Sequence, residues 1–293
     1  MNILVTGATS FIGLEVISQL LKKGHEVRTL TRQENTPAIL KNTEIWKHDL
    51  FDLPAEIVKG VDVVIHIAAA TPNTNPDSET YRKINVDCTR HLLSLCEENH
   101  VSHFIYISST VVLFDSKDAY TQSKKEAESI ISKSKLNWTI LRPSEIIGAD
   151  KSLEKFFLLL SKKKFVFIPG SGKQTRHPVY YLDVANAIVQ VVANENTFRK
   201  KYILAAFEPV SYHNYLSIVK RLFKFNYTIM IIPLWILKIM AGMKKILPSS
   251  VNRKTGNAFN MMRSFSYDIQ NGITDFGYAP IDVETGFSKI AKE

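Results

Sequence analysis

The chain has 293 residues, of which 45% are apolar and 22% charged, the balance of a soluble globular protein able to bury a core. Its net charge of +9 favours anionic partners, but the basic residues are dispersed. No zinc-finger spacing or aromatic-basic RNA motif accompanies them, which argues against nucleic acid. Cys88 and Cys96 have no metal-ligand spacing and cannot frame a disulfide scaffold, so no metal site is expected.

Met1 runs straight into an apolar strand without a basic leader or cleavage site, so a cytoplasmic protein is expected. Asn2–Thr6 reads as a strand, then a glycine turn, then an apolar-periodic helix over Phe11–Lys23 that Gly24 ends as a left-handed cap. Strands are predicted at 25–31, 44–48, 61–67, 103–108 and 138–141, and helices at 85–99 and 119–134. The 61–67 run is almost wholly apolar, as a strand buried on both faces should be. Alternating β and α with such strands predicts an α/β fold, a doubly wound parallel sheet of the Rossmann kind, with a smaller C-terminal substrate lobe. The dinucleotide-binding domain is expected over residues 1–165, with 175–205 returning to it and 166–293 mainly forming the lobe.

A helix is predicted over 152–162, a loop at Gly170-Ser171-Gly172, and a strand edge and helix over 179–194. The most apolar stretch, Ile229–Met243, is shorter than the roughly twenty residues of a membrane span. It reads as a buried or substrate-lining helix, with Pro233 as its first residue. Docking of this stretch on a membrane surface is the alternative.

Residues Thr6-Gly7-Ala8-Thr9-Ser10-Phe11-Ile12-Gly13 join the first strand to the first helix. Glycine at the strand end permits a tight turn, and glycine inside the helix lets helix and sheet approach. The helix N-terminus then offers N–H groups to a pyrophosphate. Gly7, Thr9, Ser10, Phe11, Ile12 and Gly13 are therefore candidate cofactor residues. Ser10 replaces the middle glycine of a three-glycine pattern and could itself donate to phosphate. Strand two ends in Thr31-Arg32 without an acid. An arginine there suits a ribose 2′-phosphate, so NADP is favoured over NAD. Asp49, with Leu50 beside it, is a candidate for the adenine side.

Tyr120 and Lys124 stand four residues apart on one helix face. A phenol is a poor base near neutrality, and an adjacent ammonium should lower its pKa. Upstream, Ser108-Ser109-Thr110 ends a strand and offers hydroxyls to a substrate oxygen.

These stretches together resemble an extended short-chain dehydrogenase/reductase of the NAD-dependent epimerase/dehydratase family. The Thr6–Gly13 turn, His66-Ile67-Ala68-Ala69, Asn85-Val86-Asp87, the strand-five serines, Tyr120 with Lys124, Leu141-Arg142-Pro143-Ser144, Arg176-His177-Pro178 and Phe276-Gly277-Tyr278 match in order. The resemblance implies Ser109 as the oxygen-binding hydroxyl, with Thr110 as its fallback, and Lys124 also on the nicotinamide ribose. It implies Ala68, Ala69 and Pro143 against the cofactor, Arg176 on a substrate diphosphate, and Arg263 as a second phosphate candidate. It also implies a homodimer through the 85–99 and 119–134 helices. Two departures stand out. Ser109-Thr110-Val111-Val112 lacks the acidic run of the family's sugar dehydratases, and Arg142 sits where some epimerases have Asn.

The expected activity is an NADPH-dependent keto-reductase acting on a nucleotide-diphosphate keto-sugar. An NAD-dependent epimerase, a steroid or lipid-alcohol dehydrogenase and a non-catalytic NADP-binding protein are the alternatives.

Overall fold

The computed structural model describes residues 1–74, 76–148, 151–242 and 262–292. The chain divides into two compact units. Unit 1 comprises Met1–Ser144, Tyr181–Leu204 and Ile269–Ala279; unit 2 comprises Glu145–Tyr180, Ala205–Asp268 and Pro280–Glu293. The first change of unit thus comes after Ser144, earlier in the chain than residue 165. The Ser144 N–H donates to the Leu204 carbonyl at 2.9 Å, and beyond that bond the chain leaves the sheet.

Unit 1 holds one seven-stranded sheet with every pairing parallel. Its first six strands are β1 (Asn2–Thr6), β2 (Glu26–Thr31), β3 (Glu44–Lys47), β4 (Val63–His66), β5 (His103–Ile107) and β6 (Trp138–Pro143). The seventh is Lys200–Leu204. The spatial order is β3-β2-β1-β4-β5-β6 and then Lys200–Leu204. Chain order reverses between β1 and β4, a switch point of the kind beside which open α/β sheets bind their ligands. β4 and β5 are buried at every residue, as central parallel strands must be. The edge strand β3 keeps Glu44 and Lys47 in solvent, charges that discourage further pairing.

Helix α1 (Phe11–Lys22) buries Ile12, Val16, Ile17 and Leu20, at helical spacing on one face. Gly24 follows it with φ +78°, the left-handed turn expected there. Helix α2 (Ser78–Arg82), a π-turn at Lys83–Asp87 and α3 (Cys88–Glu98) run on as one rod. The rod therefore starts before the Asn85 read from sequence. Asp77 caps it, accepting from the Thr80 N–H at 2.7 Å, and Asn85 sits inside the π-turn. Such single-turn bulges recur at functional sites because they re-aim one side chain. Helix α4 (Ala119–Lys133) is capped by Asp118, which accepts from the Thr121 N–H at 2.8 Å.

Unit 2 combines helices Lys151–Ser161, Tyr212–Leu222 and Val283–Ile290 with short two-stranded pairings. Its interior is aromatic: Phe157 meets Phe223 at 4.1 Å between centroids, and Tyr215 meets Phe287 edge-on at 5.2 Å. The apolar stretch departs from its sequence reading. Thr228–Ile232 is a strand, parallel to Phe165–Pro169, and only Leu234–Gly242 is helical. Pro233 precedes the helix, since a proline cannot donate to a ladder. Nor is the stretch buried: Met230, Ile231, Trp235 and Ile239 are exposed. Its last residue, Met243, lies outside the described residues, as does Pro248. No helix among the described residues is long and apolar enough to cross a membrane.

Candidate active site

The glycine turn is fixed by sterics. Gly7 has φ +72°, and a Cβ there would stand 2.7 Å from the Ala68 nitrogen; a Cβ on Gly13 would stand 2.3 Å from the Gly7 oxygen. No side chain fits either place. Ser10 closes the turn, donating to the Gly7 carbonyl at 2.8 Å and accepting from the Gly13 N–H at 3.0 Å. In this arrangement its one proton is directed into the turn. Phe11 and Ile12 form the open N-terminus of α1, with Thr9 half-buried beside them. The Phe11 ring lies 5.6 Å from that of Tyr181.

Behind the turn runs a row of buried polar groups. The Ala68 N–H meets Thr6 Oγ1 at 3.3 Å, and Thr6 Oγ1 meets His66 Nδ1 at 2.7 Å. His66 Nε2 meets Thr89 Oγ1 at 2.9 Å, and Thr89 donates to the Asn85 carbonyl at 2.9 Å. Thr6, His66 and Thr89 have no solvent exposure. Burial first, then the charge of Lys124, lowers the His66 pKa to about 3, so the ring is neutral. Thr89 has already used its proton, so Nε2 carries the ring hydrogen and Nδ1 accepts from Thr6. The Asn85 side chain accepts from the Ala70 N–H at 2.8 Å and donates to the Ala70 carbonyl at 3.1 Å and to Ser123 Oγ at 2.9 Å. It thereby ties the 68–70 loop to α4, one residue before Lys124. The sequence reading gave Thr6, His66, Asn85 and Thr89 no role of their own. One signal was present: a lone histidine in a buried apolar strand must find hydrogen-bond partners.

At the end of β5, Ser109 opens a short turn at Thr110–Leu113. Its hydroxyl accepts from the Val111 N–H at 3.3 Å and favours the charged form of the Tyr120 phenol. Thr110 is buried and Ser109 half-buried. The Tyr120 ring lies 5.7 Å from that of Tyr81. Lys124 is buried; its Nζ donates to the Ile107 carbonyl at 2.7 Å and lies 4.2 Å from the Tyr106 ring centre. Burial lowers its pKa to about 7, against the opposing pull of Glu128. Burial also raises the Tyr120 pKa, and the Ser109 hydroxyl partly offsets this. The expected acidification of the phenol by Lys124 is thus corrected: in this arrangement burial dominates and the phenol holds its proton.

Glu128 follows Lys124 by one helical turn. It accepts from Arg142 Nε at 2.9 Å and Nη2 at 2.6 Å, and from Ser108 Oγ at 2.6 Å. Burial opposes its charge, but these bonds hold the carboxyl below its ordinary range. The forked pair accounts for an arginine at position 142 as an anchor for α4.

The other sequence candidates are distributed as follows. Arg32, exposed at the end of β2, meets Asp49 Oδ2 at 3.5 Å, so these two do come together; Leu50 is buried beside Asp49. Pro143 ends β6 in the buried interior. Ala68 and Ala69 follow β4 and are half-buried. In unit 2 the Arg176 guanidinium lies 4.6 Å from the Tyr212 ring centre and 5.5 Å from that of Phe265. Desolvation raises the pKa of Glu145, and the Arg176 charge offsets it. Arg263 is exposed. Among the described residues no cluster of His, Cys, Asp and Glu could hold a metal.

A parallel sheet with this switch point, glycine turn and Ser–Tyr–Lys set defines a dinucleotide-dependent class. The chain belongs to the NAD dependent epimerase/dehydratase family, whose model matches residues 3–205. Among curated relatives, a Dictyostelium discoideum sterol-4-alpha-carboxylate 3-dehydrogenase, decarboxylating, is 26% identical over 64% of this chain and 64% of its own length. A dTDP-D-glucose 4,6-dehydratase from the same organism is 27% identical over 64% of this chain and 54% of its own. The matches therefore span less than two thirds of either relative. Among solved structures, the UDP-glucuronic acid 4-epimerase of Bacillus cereus in complex with NAD superposes with TM-score 0.74. It is 20% identical, covering 100% of this chain and 96% of that one. At that identity the likeness is one of fold.

Proposed function

We propose that the chain is an NADP(H)-dependent keto-reductase acting on a nucleotide-diphosphate keto-sugar. The observation that carries the reading is the Tyr120 phenol one helical turn before the buried Lys124 on α4, its pKa raised by burial against the Ser109 hydroxyl. A reductase needs its proton donor to start protonated, and a raised phenol does. The residues fit a dinucleotide, because the Gly7 and Gly13 cradle leaves room that any Cβ would fill, at the N-terminus of a helix. Gly7 to Gly13 would hold its pyrophosphate and Lys124 its nicotinamide ribose, while Ala68, Ala69 and Pro143 would line it. When bound, the nicotinamide supplies the hydride.

Ser109 then orients the substrate oxygen and Tyr120 gives it the phenolic proton as the carbonyl becomes an alcohol. Lys124, with a pKa near 7, stabilises the phenolate and passes on the replacement proton. Arg32 supports NADP(H), as a forked donor at the end of β2 with no acid on its own strand end. Arg176 is proposed for the substrate diphosphate. The test is a titration with NADPH and NADH followed by a screen of nucleotide keto-sugars for NADPH consumption. Tighter NADH binding, or tightly retained NAD with epimerisation, would overturn the reductase reading.

One observation favours a second substrate class, a sterol-like or lipid alcohol: unit 2 leaves large apolar residues in solvent, and one relative is named for a sterol. Arg176→Ala separates the two. Loss of activity supports the sugar diphosphate, and unchanged activity supports the apolar substrate.

A further inference from the structure

In unit 2 the strands Phe165–Pro169 and Thr228–Ile232 pair in parallel, with Phe165 opposite Thr228 and Phe167 opposite Met230. Register partners point to the same side of a sheet, and alternate residues share it. Phe165 and Phe167 are each 51% exposed and Met230 44%, so this side faces solvent with an apolar surface. Pro233 alone separates the second strand from the Leu234–Gly242 helix. That helix shows Trp235 and Ile239, 63% and 55% exposed and one turn apart.

Charge adjoins these apolar residues. Lys162, Lys163 and Lys164 are exposed immediately before Phe165, and the Lys164 carbonyl accepts from the Thr228 N–H at 2.9 Å. Lys238, exposed, stands between Trp235 and Ile239 on the helix. We infer that this face docks on the surface of an anionic lipid bilayer. Exposed aromatic and aliphatic side chains enter the headgroup boundary, where tryptophan is favoured, and lysines beside them meet lipid phosphates. The attachment is a surface one. A second copy of the chain is a poorer occupant, because it would bring another run of three lysines against the first. The inference is independent of the proposed reaction.

The experiment is sedimentation of the full-length protein with vesicles of phosphatidylcholine, alone or mixed with phosphatidylglycerol, at low and high salt. Wild type should bind the mixed vesicles at least about tenfold better than the neutral ones, and high salt should reduce the difference. Replacing Lys162, Lys163 and Lys164 with Gln should weaken binding about fivefold for each lysine replaced. Trp235→Ser should weaken binding to both kinds of vesicle, with NADPH binding retained as the check on folding. Equal partition onto both vesicles, or mixed-vesicle binding insensitive to salt, would overturn the inference without any variant. So would a dimer that Trp235→Ser dissociates and vesicles do not.

Discussion

The two units treat the same problem in opposite ways. In unit 1, strand β4 carries His66 with no exposure, and threonines on β1 and α3 satisfy both ring nitrogens. In unit 2, Phe165 and Phe167 on one strand stay half in solvent. A buried polar group costs stability unless it is paired, whereas an exposed phenyl ring costs the folded state little. The first arrangement tolerates no change, because each group depends on the next. The second leaves a surface free for a partner.

Four experiments test that contrast. Tyr120→Phe removes one hydroxyl from the rigid unit; kcat/KM should fall about 10²- to 10⁴-fold, with NADPH affinity unchanged by fluorescence titration. A fall below tenfold would remove Tyr120 from catalysis. Glu128→Ala leaves Arg142 without its carboxylate and should cost about 3 kcal/mol in urea denaturation, the low end for a broken buried pair because Arg142 keeps some solvent. The joint Glu128→Met, Arg142→Met variant should recover most of that loss; if it does not, the pair is not the cause.

The third experiment uses pH. His66 has a folded pKa of about 3 against 6.5 unfolded, so between these values the unfolded chain binds the extra proton. The His66 contribution is therefore complete above pH 6.5 and declines as pH falls toward 3, by up to about 1.4 kcal/mol per unit. Urea midpoints across that range give the slope, and His66→Asn should flatten it. The smallest effect is expected in unit 2. Phe167→Ser should change the unfolding free energy from urea denaturation by no more than about 0.5 kcal/mol, and a larger loss would mean that the ring is part of the core.

Much of unit 1 was readable from sequence because parallel strands bury both faces and leave apolar runs such as Val63-Val64-Ile65. The seventh strand was not read: Lys200 and Lys201 open it, and at a sheet edge a strand begins as charged residues whose stems lie along the protein. Lys201 reaches Glu128 at 3.5 Å. The start of α2 was missed although Asp77-Ser78-Glu79 carries a capping signal. The stretch around Pro233 was misread because apolar content alone cannot tell a strand from a helix, or a core from an exposed face. At the candidate site, spacing brought Ser109, Tyr120 and Lys124 to notice. It could not give their protonation, since burial depends on residues distant in sequence, such as Ile107 and Tyr106 around Lys124.

The row from Ala68 to Asn85 has a consequence for proton traffic. Every hydroxyl in it already points one way, the imidazole has a single tautomer, and a further proton would break a link on each side. The core beneath the glycine turn is thus an insulator. On the proposed reaction, the proton that Tyr120 gives up would be restored from the α4 side, through Lys124, and not between β1 and β4.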